Sequence, residues 1–363
     1  MELSSTKLIQ YFESQNFNTA AYGNVKAVPV FSSVENELEI LTNGAALRVL
    51  FNYSLIELKG KDSLDFLHRV TTNSVKDLKK EEVTQTIFTS EKGRILSVAT
   101  ILNFETYQFM VVGSSNKARV ISWINKYIIA DDVRVNDADD RFNLLELSGA
   151  QSDSFLTLVC GNVVNEIKPN SFNVISTEGI LFFLVKLIDF NGRNKFWILA
   201  EHDNSIKLLD YMKENSSLFN FGLVGEDAYH EYRVRMGIPA APNEINDQFN
   251  PHEARLINLV DFKKGCYIGQ EVIARIDTYD KVQKYLTGVN FQDTVETNQH
   301  FVLFDDEDKE VGLVTSAVKS NKLNRSIGLA YIRKNFSQPG TVLTAKNNEI
   351  ITKVTTQDLP FHK

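Results

Sequence analysis

Between residues 53 and 214 the apolar positions alternate between a strand-like and a helical period, and the order of those periods occurs twice. Leu55-Ile56-Glu57-Leu58-Lys59-Gly60 reads as a strand closed by glycine, and it returns as Leu144-Leu145-Glu146-Leu147-Ser148-Gly149. Each run leads into a helical pattern ending in Phe-Leu, at Phe66-Leu67 and Phe155-Leu156. A glycine turn comes next between β-rich runs, Glu91-Lys92-Gly93 in the first copy and Glu178-Gly179 in the second. Phe109-Met110-Val111-Val112 then matches Phe196-Trp197-Ile198-Leu199. Both copies close on an amphipathic helix, with Val120, Ile121, Ile124, Tyr127 and Ile128 at helical spacing in one and Leu208, Leu209 and Met212 in the other. Each copy thus predicts strand, helix, hairpin, strand, helix, which folds as an antiparallel sheet with helices on one face.

Beyond residue 284 the texture changes to short β-rich runs at 285–291, 311–316, 327–331, 342–345 and 350–354, whose spacing suits a small barrel. The acidic run Asp305-Asp306-Glu307-Asp308 lacks the alternating ligands and central glycine of a calcium loop and reads as a hairpin tip. Between the duplicated body and this module, Ala228, Tyr232 and Met236 share a helix face, stopped by Gly237-Ile238-Pro239. Asn250-Pro251-His252-Glu253 reads as a capping box opening a second helix, with Glu253 structural and His252 on the helix surface. The fold class expected is α+β: a duplicated body of two ferredoxin-like lobes, over 1–140 and 141–283, and a β-barrel over 284–363.

Composition narrows the function. With 43% hydrophobic and 23% charged residues in 363, the chain can bury two or three cores. The opening Met1-Glu2-Leu3-Ser4-Ser5 shows no targeting pattern, and no apolar run approaches membrane length, so we expect a cytoplasmic protein with no membrane partner. A net charge of −7 argues against direct nucleic-acid binding. The two cysteines, Cys160 and Cys266, lack metal-type spacing, so no stably bound metal is expected. Cys160, in Leu158-Val159-Cys160-Gly161, reads as a core residue at a helix end.

Cys266 differs. It lies in Lys264-Gly265-Cys266-Tyr267-Ile268-Gly269-Gln270-Glu271, between two glycines that disfavour regular structure, with Lys263, Lys264 and Arg275 near enough in sequence to favour a thiolate. Two readings fit these residues, a reactive thiol and a cysteine that simply packs.

The octapeptide resembles the K-G-C-[YF]-x-G-Q-E signature of the YgfZ proteins, relatives of the glycine-cleavage T-protein, at every fixed position. Gly60-Lys61-Asp62 with Thr72-Asn73, Lys92-Gly93-Arg94, Arg233-Val234-Arg235-Met236-Gly237-Ile238-Pro239, Ile327–Arg333 and Leu359-Pro360-Phe361 resemble further family elements in order. The resemblance covers roughly residues 40 to 363. It implies a three-lobed cloverleaf around a central cavity holding tetrahydrofolate or a derivative, with Arg233, Arg94 and Lys92 as ligand contacts. It also implies a role in iron–sulfur cluster assembly or repair, in bacteria alongside radical enzymes that thiomethylate tRNA, with iron–sulfur proteins or their assembly machinery as partners. Cys266 would then be the functional thiol and a transient cluster ligand. Lys264 would stabilise its charge, Gln270 would orient backbone, and Glu271 would pair with Lys264 or Arg275.

Two departures from the T-protein bear on chemistry. Where the T-protein carries an acidic residue after its hairpin, this chain has Ser97-Val98, so the carboxylate that assists C–N cleavage is missing. Where the T-protein grips the pterin ring with a glutamate, the corresponding run is Phe190-Asn191-Gly192-Arg193-Asn194-Lys195-Phe196, which has no carboxylate. The alternative, a folate-dependent one-carbon transferase, would make Cys266 a nucleophile and use Lys92 and Arg94 to hold the folate's carboxylates; at a hairpin tip the same two residues can equally be merely solvated. A redox-sensing adaptor is a third reading.

Overall fold

The computed structural model describes residues 7–189, 192–297 and 299–361. The opening Met1–Ser5 run, and Phe190 and Asn191 of the pterin-loop comparison, lie outside them. Among the described residues no helix is long and apolar enough to cross a membrane.

Helix α1 (Lys7–Ser14) leads to a hairpin of β1 (Ala20–Tyr22) and β2 (Val25–Ala27), then to α2 (Val34–Asn43) and β3 (Ala45–Val49). The apolar pattern starts at residue 53 and has no counterpart for these. One reason is Glu37, which lies on the buried side of α2 at 0% exposure and interrupts its period. Its carboxylate accepts the backbone N–H groups of Phe31, Ser32 and Gly225, so the burial is satisfied.

The first copy comprises β4 (Tyr53–Lys59), α3 (Ser63–Val70), β5 (Val83–Thr89), β6 (Ile95–Asn103), β7 (Tyr107–Gly113), α4 (Lys117–Tyr127) and β8 (Arg134–Asp137). The second comprises β9 (Asn143–Ser148), α5 (Ser152–Cys160), the short α6 (Val163–Glu166), β10 (Ser171–Thr177), β11 (Ile180–Ile188), β12 (Asn194–Ala200), α7 (His202–Glu214) and β13 (Phe221–Leu223). The sheets run β5-β6-β7-β4-β8 and β10-β11-β12-β9-β3-β13. In both, the hairpin is followed by the later strand and then by the strand that opens the copy, so the duplication in sequence is a duplication in topology. The copies differ in the extra helix α6 and in the strands beside the opening one. Strand β3, which precedes the first copy, is inserted beside β9 in the second sheet, and β13 joins it in parallel.

Strand alternation divides β12 between two cores: Phe196, Ile198 and Ala200 pack with α1, α5 and α7, whereas Trp197 and Leu199 pack with Leu55, Phe109 and Val111 of the other sheet. Leu208, Leu209 and Met212 of α7 are fully buried, each contributing roughly 1.5–3 kcal/mol.

Helix α8 (Glu226–Met236) ends at Gly237, whose φ of 71° lets Ile238 N–H return to Arg233 O. No second helix starts at Asn250. That stretch closes after one turn, and the next α-helix is α9 (Gln270–Thr278). Strands β14 (Lys284–Phe291), β15 (Phe301–Phe304), β16 (Glu310–Ser320), β17 (Arg325–Arg333), β18 (Val342–Lys346) and β19 (Ile351–Gln357) form a closed barrel, β14 pairing with both β17 and β19. The five β-rich runs of the sequence are five of these strands, and β15 is a sixth. The acidic run forms the β15–β16 tip, where Asp305 Oδ1 accepts the N–H groups of Glu307 and Lys309.

By compactness the chain divides into two units: one takes the chain up to His68, Ser74–Gln85 and Ala99–Tyr229, the other Arg69–Asn73, Thr86–Val98 and His230 onward. The second has its own core, in which Ile87, Ile95, Val234, Phe249 and Ile273 pack with Leu286, Ile327, Leu329 and Tyr331 of the barrel.

Candidate functional site

The cysteine segment is assembled within the second unit from three stretches distant in sequence. Thr72 Oγ1 accepts Ile87 N–H and donates to Leu259 O, while Asn73 N–H donates to Thr86 Oγ1. Lys264 Nζ then donates to both Thr71 O and Asn73 O, each at 2.7 Å. The Thr-Asn element and the start of the octapeptide are therefore one structure. Burial pushes the Lys264 ammonium down to about 8, with Asp261 opposing the shift. Lys264 thus serves as a clamp on two carbonyls.

Beyond the clamp, two glycines fix the course of the loop. Gly269 has a φ of 85° and sits against the hairpin tip, so that a Cβ there would lie 2.5 Å from Ser90 O and 3.2 Å from Gly93 Cα. Gly93, with φ 67°, returns the contact to Val272 and Ile273. Thr89 Oγ1 adds a hydrogen bond to Ile268 O at 2.6 Å. Between the clamp at Lys264 and this glycine seat, Gly265 and Cys266 are exposed and belong to no helix or strand. Tyr267 turns inward at 7% exposure, its hydroxyl has no hydrogen-bond partner among the described residues, and burial pushes it up to about 12. The packing reading of Cys266 is thereby removed. Cys160, by contrast, is the last residue of α5, and burial pushes its thiol up to about 11.

Beside α9 lies a cleft of about 320 Å³ lined by Arg94, Glu253, Glu271, Arg275, Lys281 and neighbouring residues. Arg94 Nη1 donates to Gln248 O at 2.8 Å and to Glu253 Oε2 at 3.0 Å. Glu253 also accepts Asn250 N–H and returns its own N–H to Asn250 Oδ1, which is the reciprocal pair of a capping box. Burial raises the Glu253 carboxyl, opposed by the Asn250 N–H and the Arg94 charge. The pairing expected for Glu271 does not form: among the described residues its carboxylate meets neither Lys264 nor Arg275 within ion-pair distance. His252 is not a surface helix residue. It sits in the turn, its side chain 8% exposed and Nε2 3.2 Å from Asp277 Oδ1. Lys92 is exposed at the hairpin tip; Gln270, partly buried, is the first residue of α9.

Arg233 does not line this cleft. It is buried, its guanidinium bound to Glu244 Oε2 at 3.0 Å and Ser316 Oγ at 2.9 Å. A register shift between Val314 and Ser316 in β16 presents the Thr315 and Ser316 hydroxyls to Glu244 Oε1. Glu244, 0% exposed, escapes a reading of the sequence because nothing in Ala241-Pro242-Asn243-Glu244 marks a buried carboxylate.

Fold and site together define an α+β protein with a closed carboxy-terminal barrel and an exposed thiol on a clamped loop. Residues 4–264 match the GCVT N-terminal domain and residues 284–363 the glycine cleavage T-protein C-terminal barrel domain; the chain belongs to the glycine-cleavage T-protein family. It is 26% identical to an aminomethyltransferase of Bacillus licheniformis over 367 residues, spanning 99% of each chain. With the aminomethyltransferase of Oceanobacillus iheyensis it shares 25% identity, over 100% of this chain and 99% of that one. The crystal structure of the glycine cleavage system aminomethyltransferase T of Bartonella henselae shares the fold, with a TM-score of 0.84 at 19% identity, covering 99% of this chain and 98% of that one.

Proposed function

We propose that the protein is a cytoplasmic, YgfZ-type accessory factor for iron–sulfur cluster assembly or repair, with Cys266 as its functional thiol. The observation that carries this is the exposed Cys266, held between the Lys264 clamp and the Gly269 seat. The sulfur gives its proton to solvent and its lone pair to an iron of the cargo cluster, the remaining ligands coming from the partner iron–sulfur protein or assembly machinery. Radical enzymes that modify tRNA are among the proposed partners.

Tetrahydrofolate or a derivative is the proposed small-molecule ligand; of Arg233, Arg94 and Lys92, the residues expected to contact it, Arg94 lines the cleft beside α9 and Lys92 does not. Arg94, Arg275 and Lys281 around the cleft suit the carboxylates of a folate tail. The guanidinium of Arg233 is already taken by Glu244 and Ser316, so no role toward the pterin ring is assigned to it.

Replacing Cys266 with Ala or Ser tests the reading. Iron–sulfur enzyme activities in cells should fall with both variants while the abundance of the protein holds; unchanged activities would overturn it. A second reading, a folate-dependent one-carbon transferase, is favoured by the aminomethyltransferase relatives. Turnover of methylene-tetrahydrofolate by the purified protein would establish it in place of the first.

A further inference from the structure

A cleft of about 570 Å³ lies wholly within the first unit and contains none of the residues of the candidate site. Its volume is that of a small-molecule site. Leu50, Leu55, Val111 and Leu199, each no more than 7% exposed, form an apolar floor, and Phe51 and Phe142 add aromatic walls.

The polar groups around it are uneven. Lys7 is paired with Asp203, Lys26 with Glu13, and Asp139 with Lys117. Asp140 differs: its side chain is exposed and meets no cation or hydrogen-bond donor among the described residues. The Asp140 backbone carbonyl lies 2.8 Å from His202 Nε2, and since a carbonyl can only accept, Nε2 carries the hydrogen. The other ring nitrogen, Nδ1, is buried without a partner among the described residues, and in the neutral ring it presents a lone pair. An apolar, partly aromatic slot therefore has an unpaired, exposed carboxylate beside it and, among the described residues, no uncommitted cation.

We propose that this cleft binds a small aryl- or heteroaryl-alkylammonium. Its ring would lie on the Leu50–Leu199 floor against Phe51, and its N–H groups would meet the Asp140 carboxylate. Neither the thiol nor the fate of a folate enters this inference.

The test uses the full chain with Trp123 replaced by Phe, so that Trp197 reports alone; the Trp197 ring centroid is 6.1 Å from that of Tyr53, a cleft residue. The probes are 2-phenylethylammonium and its near-isostere 3-phenylpropionate. Trp197 emission should change saturably with the ammonium, and the carboxylate should bind at least about tenfold more weakly. Asp140→Asn, at an exposed position, should weaken the ammonium about tenfold, and Asp140→Lys should reverse the order of the probes. Absence of saturable ammonium binding, equal affinity for the two probes, or indifference to Asp140→Asn would each overturn the proposal.

Discussion

Gly269 illustrates how a side chain's absence can be structural. A methyl group there meets two separate obstacles, the positive φ of 85° and a backbone oxygen at 2.5 Å. Gly340 has a similar φ of 87° with nothing within 4 Å of an ideal Cβ position, so it isolates the first obstacle from the second. Gly269→Ala should therefore lower the unfolding free energy by about 3 kcal/mol or more, and Gly340→Ala by about 1–2 kcal/mol, as measured by urea denaturation. Equal losses would mean that the hairpin seat yields freely. Lys264 gives a second test. Its folded value, about 8, lies below its ordinary value of 10.5, so between those pH values the unfolded chain holds more protons than the folded one. Stability should rise with pH across that window. Subtracting the profile of Lys264→Met removes the other titrating groups, and a difference curve flat from about pH 8 to 10 would refute the buried ammonium.

At the scale of elements, the turn over residues 250–255 shows what local pattern does and does not settle. The Asn250–Glu253 pair is legible in the sequence, and its two hydrogen bonds form. The helix it would introduce does not form, because Arg255 takes a φ of 60° and Leu256 N–H closes back on Pro251 O after one turn. Arginine carries no sign that it will adopt a left-handed conformation. The same limit hides β15, four residues whose strand character comes from barrel partners on both sides. The duplicated strands and helices, by contrast, obey local periods that survive at 53–128 and 142–214. For the candidate site, the octapeptide is legible in the sequence as an irregular loop, whereas the carbonyls that hold Lys264 lie 193 and 191 residues away and leave no local trace. Glu253→Ala removes an acceptor from both a buried backbone N–H and Arg94, and should cost about 2–3 kcal/mol. Arg94→Ala removes only a partly exposed partner and should cost under about 1 kcal/mol in the same denaturation series. The reverse order would assign the turn's stability to the ion pair instead of the cap.

At the scale of the whole molecule, the second compact unit is not one continuous piece of chain. Its core includes Ile87 and Ile95, both 0% exposed, from a stretch that precedes most of the unit by well over a hundred residues. The same stretch supplies the Gly93 face against which Gly269 rests and the Ile95 N–H that donates to Phe249 O. Residues 71–73 supply the carbonyls for Lys264. A piece comprising residues 230–363 alone would leave a buried ammonium without its acceptors and forgo two isoleucines worth roughly 1.5–3 kcal/mol each. Against the few kcal/mol by which domains of this size are stable, that loss is large. The piece should retain strand content in the far ultraviolet, because barrel closure through β14 and β19 is internal to it. It should nevertheless unfold in urea without a sharp transition and give weak near-ultraviolet signals, whereas the full chain unfolds cooperatively. If residues 230–363 alone melted as sharply as the full chain, Thr71–Asn73 and the Lys92–Arg94 hairpin would be attachments to a finished unit, and the geometry around Cys266 would not depend on them.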